Sequence, residues 1–187
     1  MRESFEPALP IRTERLLLRP LTERDVPAVT AYRSLPEVSR FLPHEPLDEQ
    51  QVAERIAGRW ARHVLDEPGS AVCLAIEAAG VLVGDVVLFV SGAREAETVE
   101  LGWVLAPEHE GHGYATEAAA ALLQVAFDGF GAHRVVARMD PDHDGSAAVA
   151  TRLGMRREAL LIENERIKGE WLDTLYFALL EREHRAR

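Results

Sequence analysis

Two glycines one residue apart, Gly111 and Gly113, sit in the stretch EHEGHGYATEA (108–118), just before an alanine-rich segment that reads as a helix. Glycine is costly in regular structure, so the pair marks a backbone conformation that other residues reach poorly. Backbone amides presented at the start of a helix form a site for an anion, with the helix dipole behind them. Glu108 and Glu110 in the same loop run against an anion. A dinucleotide turn of the G-x-G-x-x-G kind is excluded, because Thr116 holds the third glycine's place and the preceding strand comes late, after a hairpin. A phosphate loop needs a lysine after its last glycine, and none follows Gly113. Two readings remain open on the loop alone: amides that grip a pyrophosphate, or a plain helix start with two flexible glycines.

Three other groups of reactive residues lead nowhere in particular. DPDHDG (140–145) matches the opening of a calcium loop, but its twelfth position is Thr151 where a bidentate glutamate is required. A strand-to-helix turn is the expectation there. His109, His112 and His143 lack the spacing of a metal site, so no metal is expected. Cys73, the one cysteine, lies in the apolar run AVCLAI, cannot form an internal disulfide, and reads as a buried structural thiol.

The elements that position the loop can be read from periodicity and caps. The first dozen residues, with Pro7 and Pro10, read as an irregular arm, and ERLLLRPL (14–21) as a first strand. Thr22 looks like the N-cap of a helix running to about Tyr32. Asp48 with Gln51 forms a capping box for a second helix, whose Val52, Ile56, Trp60 and Val64 recur every fourth residue. AVCLAIEAAGVLVGDVVLFV predicts two strands turning near Gly80, followed by the polar tip SGAREAE (91–97) and the strand TVELGWVLA. A long helix follows the glycine loop, from about Thr116 to Phe127, with Leu122, Val125 and Ala126 facing inward. HRVVARM (133–139) is a further strand, SAAVATRLG a helix closed by Gly154, and the tail two strands around Lys168-Gly169. The sum is an α/β (α+β) fold, one mixed and mostly antiparallel sheet of about six or seven strands with about four helices on its faces.

A chain of 187 residues fits one domain of ~100–200 residues, so residues 1–187 are taken as a single unit with 1–12 as its arm. The formal net charge of -10 argues against nucleic-acid binding, which draws most of its affinity from a basic face. It suits a cationic substrate such as an amine, and it equally suits plain solubility. No apolar run approaches the ~18 residues of a membrane span, and MRESFEPALPIRTERL holds no secretory signal, so a cytoplasmic location is expected.

WVLAPEHEGHGYATEAAAALLQVAF, DPDHDGSAAVATRLGMRREA and KGEWLDTLYFALL together resemble the GNAT superfamily of N-acetyltransferases. Within it they are most similar to the subgroup of ribosomal-protein Nα-acetyltransferases, and the resemblance runs from ERLLLRPL to the last strand. It implies acetyl-CoA lying across the end of the strand Leu101–Leu105, its pantetheine arm pairing with the backbone of Trp103, Val104 and Leu105. The amides of Gly111, His112, Gly113, Tyr114, Ala115 and Thr116 would then hold the pyrophosphate. Two positions depart from the family: Glu110, where Gln or Arg is common, and His143, where an asparagine often hydrogen-bonds the cofactor. Arg152, Arg156 and Arg157 stand where they would offset the first departure.

The resemblance also assigns chemistry. Ser146 matches a serine that protonates the leaving thiolate, although it is equally a natural N-cap for its helix. Ala150 occupies the position of a tyrosine acid found in many members. Glu165 stands at the place of a proposed base and is preferred by a small margin over Glu100, which lies under the acetyl group. The amide of Leu105 or a neighbour would supply the oxyanion donor. The acceptor is an amine, either a protein N-terminus or a small amine, with PHEPLDEQ (43–50) lining its side. An α-amine, with a pKa of ~7.7–8.0 against ~10.4 for lysine, asks less of a base. Ala150, His143 and Glu110 keep a second class open, an acyl-CoA-binding module without turnover. The exposed strands near the C-terminus leave a homodimer open as well.

Overall fold

The structure, a computed structural model, describes residues 1–91 and 97–186. Within them eight strands form one sheet: β1 (Ile11–Arg12), β2 (Leu16–Pro20), β3 (Ala71–Ala78), β4 (Val81–Val90), β5 (Thr98–Leu105), β6 (Arg134–Met139), β7 (Arg156–Ile167) and β8 (Glu170–Leu180). Their spatial order is β1-β2-β3-β4-β5-β6-β8-β7. Neighbours are antiparallel except β5 and β6, which run parallel. Six α-helices accompany the sheet: α1 (Val26–Arg33), α2 (Pro36–Ser39), α3 (Glu49–Ala57), α4 (Tyr114–Gln124), α5 (Asp144–Arg152) and α6 (Glu181–His184).

Each face of the sheet carries its own core. In β3, Val72, Leu74 and Ile76 join the cluster under α4 and α5, while Cys73 and Ala75 join the cluster under α1 and α3. A strand buried on both faces reads as a continuous apolar run, which is why AVCLAI lacks alternation. On the α3 side, Val52, Ile56 and Trp60 are buried as expected, but the helix stops at Ala57 and Val64 is only half-buried.

Local signals proved sound where they are chemical. Asp48 accepts from the Gln51 amide at 2.8 Å while its own amide donates to the Gln51 side chain at 3.0 Å. The Lys168-Gly169 turn joins β7 and β8 with φ of 53° and 87°. The strand count is corrected from six or seven to eight, because Ile11 and Arg12 pair with Leu18 and Leu17. A tight turn, with the Thr13 amide donating to the Leu16 carbonyl, folds the arm back onto β2. Two residues are too few for a period to show, and the same holds for the one-turn helices α2 and α6. The arm is likewise tied at Phe5, which bridges to Leu65 and packs its ring where Gly129 has no side chain. The helix after the glycine loop begins at Tyr114 and passes into a π-helical turn, Val125–Phe130, before Gly131 closes it. Residues 92–96 of the polar tip lie outside the described residues.

Candidate active site

The glycine loop follows β5 through Ala106 and a short 3₁₀ turn, Pro107–His109. Gly111 (φ 77°) and Gly113 (φ 81°) both lie in the left-handed region, and Gly113 is the N-cap of α4. The first-turn amides of a helix have no acceptor within it. Beside them, Thr116 Oγ1 is buried with no hydrogen-bond partner among the described residues. An orphaned hydroxyl at a helix start is what an absent anion leaves behind, so these residues fit a phosphate group.

Arg15, which sequence reasoning passed over, braces the loop from the sheet side. Its Nη1 donates to the His112 carbonyl at 2.9 Å and its guanidinium lies 5.2 Å from the Tyr114 ring centre. Nε donates to Glu117 at 2.7 Å. Burial alone would raise the Glu117 carboxyl, but the hydrogen bonds from Thr13 and Arg15 hold it below its ordinary value. That carboxylate is therefore occupied inside the fold. Glu110 is exposed on the cleft rim.

The sheet comes apart beside this loop. β5 pairs with β6 only from Thr98 to Glu100, against Arg134 to Val136. Beyond Glu100, β6 continues along β8 while Leu101–Leu105 has β4 on one side and, among the described residues, no strand on the other. Trp103, Val104 and Leu105 line this opening and are half-buried. The opening widens into a cleft of about 1590 Å³, lined also by Gly111, His112, Gly113, Ala115, Thr116, His143 and Ser146. One drug-sized ligand occupies ~300–1,000 Å³, so two substrates have room.

Both candidate carboxylates converge on one residue that the sequence did not single out. Arg138 in β6 donates from Nε to Glu100 Oε2 at 2.7 Å and from Nη1 to Glu165 Oε1. Glu100 is buried and lines the cleft, whereas Glu165 lies on the outer hairpin and is not among the cleft residues. Burial raises the Glu100 carboxyl above its ordinary value despite the guanidinium beside it, and the same two carboxylates raise Arg138 against the cost of its own burial. An arginine in the middle of the apolar strand HRVVARM was the available signal, since its exposed guanidinium can reach over the strand to carboxylates on either side.

At the start of α5 the sequence expectation of a Ser146 cap is corrected. His143 is the N-cap, its Nδ1 accepting from the Ser146 amide at 3.4 Å. An accepting Nδ1 places the ring proton on Nε2. Burial lowers the His143 pKa, which keeps the ring neutral, and Phe41 stacks on it at 4.2 Å. Ser146 sits in the first turn of α5 and lines the cleft. Ala150 is fully buried.

The far end of the cleft is built by α1, α3 and β4. Asp85 accepts from Arg33 Nη2 at 2.5 and 2.7 Å and from the Tyr32 hydroxyl at 2.5 Å, all three side chains being buried. Burial and the Asp85 carboxylate push the Tyr32 phenol well above its ordinary value, so it stays a donor. An aspartate within GVLVGDVVLFV was the trace of this network. Replacing Asp85 with alanine would strand the Arg33 charge in the interior, and a loss of about 3–5 kcal/mol is expected in urea denaturation. A loss below about 1 kcal/mol would show that water reaches the pair.

A parted sheet edge beside left-handed glycines at a helix start suits an extended ligand that ends in an anion. The chain belongs to the GNAT acetyltransferase family, whose acetyltransferase (GNAT) domain matches residues 15–156. The uncharacterized N-acetyltransferase YnaD of Bacillus subtilis is 32% identical over 92% of this chain and 98% of its own. A GNAT-family acetyltransferase from Bacillus anthracis superposes with a TM-score of 0.81 at 30% identity, covering 94% of this chain and 100% of the other. Mycobacterium smegmatis RimJ, solved in complex with CoA-disulfide, gives a TM-score of 0.78 at 26% identity, with 90% and 83% covered. The protein is thus an N-acetyltransferase of the GNAT fold. No helix among the described residues is long and apolar enough to cross a membrane.

Proposed function

We propose that residues 1–187 act as one cytoplasmic unit that transfers an acetyl group from acetyl-CoA to an amine, by direct attack of that amine on the thioester. The observation that carries this reading is the gap between β5 and β6 opening beside the glycine loop with its orphaned Thr116 hydroxyl. Acetyl-CoA, when bound, supplies the activated acyl group and a thiolate as leaving group. The free edge of Trp103, Val104 and Leu105 offers backbone donors and acceptors to the pantetheine arm, as an added strand would. The amides of Gly111, His112, Gly113, Tyr114, Ala115 and Thr116 hold the pyrophosphate, and His143 donates from Nε2 on the opposite wall.

The Leu105 amide is the oxyanion donor, and the Ser146 hydroxyl passes a proton to the departing thiolate and regains one from solvent, which also receives the proton taken from the amine. Glu100 takes the amine proton, directly or through water, in preference to Glu165. The choice rests on placement: Glu100 faces the cleft, while Glu165 holds Arg138 from outside. The acceptor is a protein N-terminal α-amine or a small amine. A homodimer is proposed on the edge strand β7, where Leu160, Leu161 and Ile162 stand exposed, as does Trp171 of β8; a monomer in sedimentation at micromolar concentration would remove it.

Binding is tested by melting temperature. At 100 times its dissociation constant a ligand adds about 2.7 kcal/mol, which for a chain of this size is a rise of about 5–10 °C. Acetyl-CoA and CoA are expected to give that rise and NADH none. Thiol release with an amine panel then tests transfer; a rise without release would leave binding and remove the amine transfer.

A further inference from the structure

Resting on the transferase reading above, we propose that the acceptor is an amine that also carries a carboxylate, which Arg55 and Arg59 hold at the far end of the cleft. The two arginines belong to α3 and the turn after it, and they line the cleft with Arg33, His44 and Trp60. The guanidinium of Arg33 lies 5.5 Å from the Trp60 ring centre and that of Arg55 lies 5.9 Å from it. One indole therefore gathers two cations.

Their neighbours are accounted for. Arg33 is taken up by Asp85, and Arg62, also on the cleft wall, by Asp66 and Glu67. Arg55 and Arg59 have no ion-pair or hydrogen-bond partner among the described residues. The β7–β8 turn adds Lys168, whose Nζ donates to the Ser39 carbonyl at 2.5 Å. Its charge reaches His44 together with those of Arg33 and Arg55. On the acidic side, Asp85 is saturated by Arg33 and Tyr32, and Glu37 is exposed on the rim. A chain of net charge -10 thus concentrates uncompensated positive charge in one place.

Exposed arginines are commonly only solvated, but Arg55 is half-buried, and burial together with Arg59 and Arg33 lowers its pKa. Like charges crowded in a partly desolvated wall are unfavourable until an anion arrives. The coenzyme's phosphates are assigned to the glycine loop at the start of α4, whereas Arg55 and Arg59 stand on α3 and the turn after it, a helix whose apolar side packs in the other core cluster. A guanidinium fork matches a carboxylate in two-point geometry, and it repels the second charge of a polyamine. The carboxylate can come from a free amino acid or from an acidic side chain next to a peptide N-terminus.

The test compares four acceptors with acetyl-CoA on the full chain: free glutamate, spermidine, and the C-terminally amidated peptides Ser-Glu-Glu-Ala and Ser-Lys-Lys-Ala. kcat/KM is read by thiol release, and affinity for the protein–CoA complex by calorimetry. A charge-assisted hydrogen bond shifts such ratios by about tenfold or more. At least about tenfold preference for glutamate or the acidic peptide over both cationic acceptors is expected. Whichever of the two responds identifies the source of the carboxylate. Arg55→Gln with Arg59→Gln, and Arg59→Gln alone if the pair melts early, should reduce that preference towards unity and leave acetyl-CoA affinity unchanged. Preference for spermidine or the lysine peptide, or a preference the variants do not move, overturns the proposal. If no amine is turned over, the transferase reading fails separately, and calorimetry with the acidic peptide still decides the charge recognition.

Discussion

A Gly113→Glu variant is expected to stay folded and to lose its melting response to acetyl-CoA. The position has φ of 81°, and a side chain built there would meet the Arg15 guanidinium at 3.3 Å. A left-handed non-glycine residue costs roughly 1–2 kcal/mol, against a total stability of about 5–15 kcal/mol, so folding should survive. Binding should not, because the carboxylate would occupy the space in front of the amides that are to hold a dianion and would repel it. Gly80→Ala separates strain from binding: its φ of 82° matches, it lies in the β3–β4 turn, and nothing stands near its side-chain position. That control should lose similar stability and keep the full response. If Gly113→Glu still responded as the parent does, the loop would not be the phosphate site.

Glu100→Gln is expected to lower kcat by about 10²–10⁴-fold, the usual contribution of a positioned acid or base. The larger signature is in the pH profile. Because burial raises the Glu100 carboxyl, the rate of the parent should climb with pH through a value above the ordinary ~4.3, and the glutamine variant should lack that limb. Stability carries the matching sign. A carboxyl with a raised folded pKa contributes stability that is complete below its unfolded pKa and is lost as pH rises through the folded one. The parent should therefore lose stability relative to the variant over that window. Glu165→Gln removes one carboxylate partner of Arg138 and should keep the limb, moved to lower pH, because the Glu165 charge helps to raise the Glu100 carboxyl. A variant at Glu100 with an unchanged profile, beside a Glu165 variant that loses the limb, would reverse the two assignments.

What the sequence disclosed was local. Asp48 with Gln51, the Lys168-Gly169 turn and the periodic burial of Val52 and Ile56 are written within a few residues of one another, and all stand in the structure. The glycine loop was legible for the same reason. What stayed hidden joins distant segments. Arg33 and Asp85 are 52 positions apart, and Arg138 and Glu100 are 38 apart. No periodicity links such partners, and the trace each leaves is a charged residue in an apolar strand. Ser146 shows the opposite error: a residue well suited to capping was passed over because the histidine three positions earlier took the role. The parting of β5 from β6 also had no local sign, since TVELGWVLA reads as one uninterrupted strand.

That parting bears on how long the protein lasts as well as on what it does. Across the line where β5 meets β6, three residue pairs join one group of strands to the other. A sheet joined by so few pairs has a seam, and local opening at a seam is where a protease finds its first extended segment. Were acetyl-CoA to fill the gap as proposed, opening would become rarer in proportion to how far the coenzyme exceeds its dissociation constant. The proteolytic lifetime of the protein would then follow the concentration of whatever ligand fills the gap.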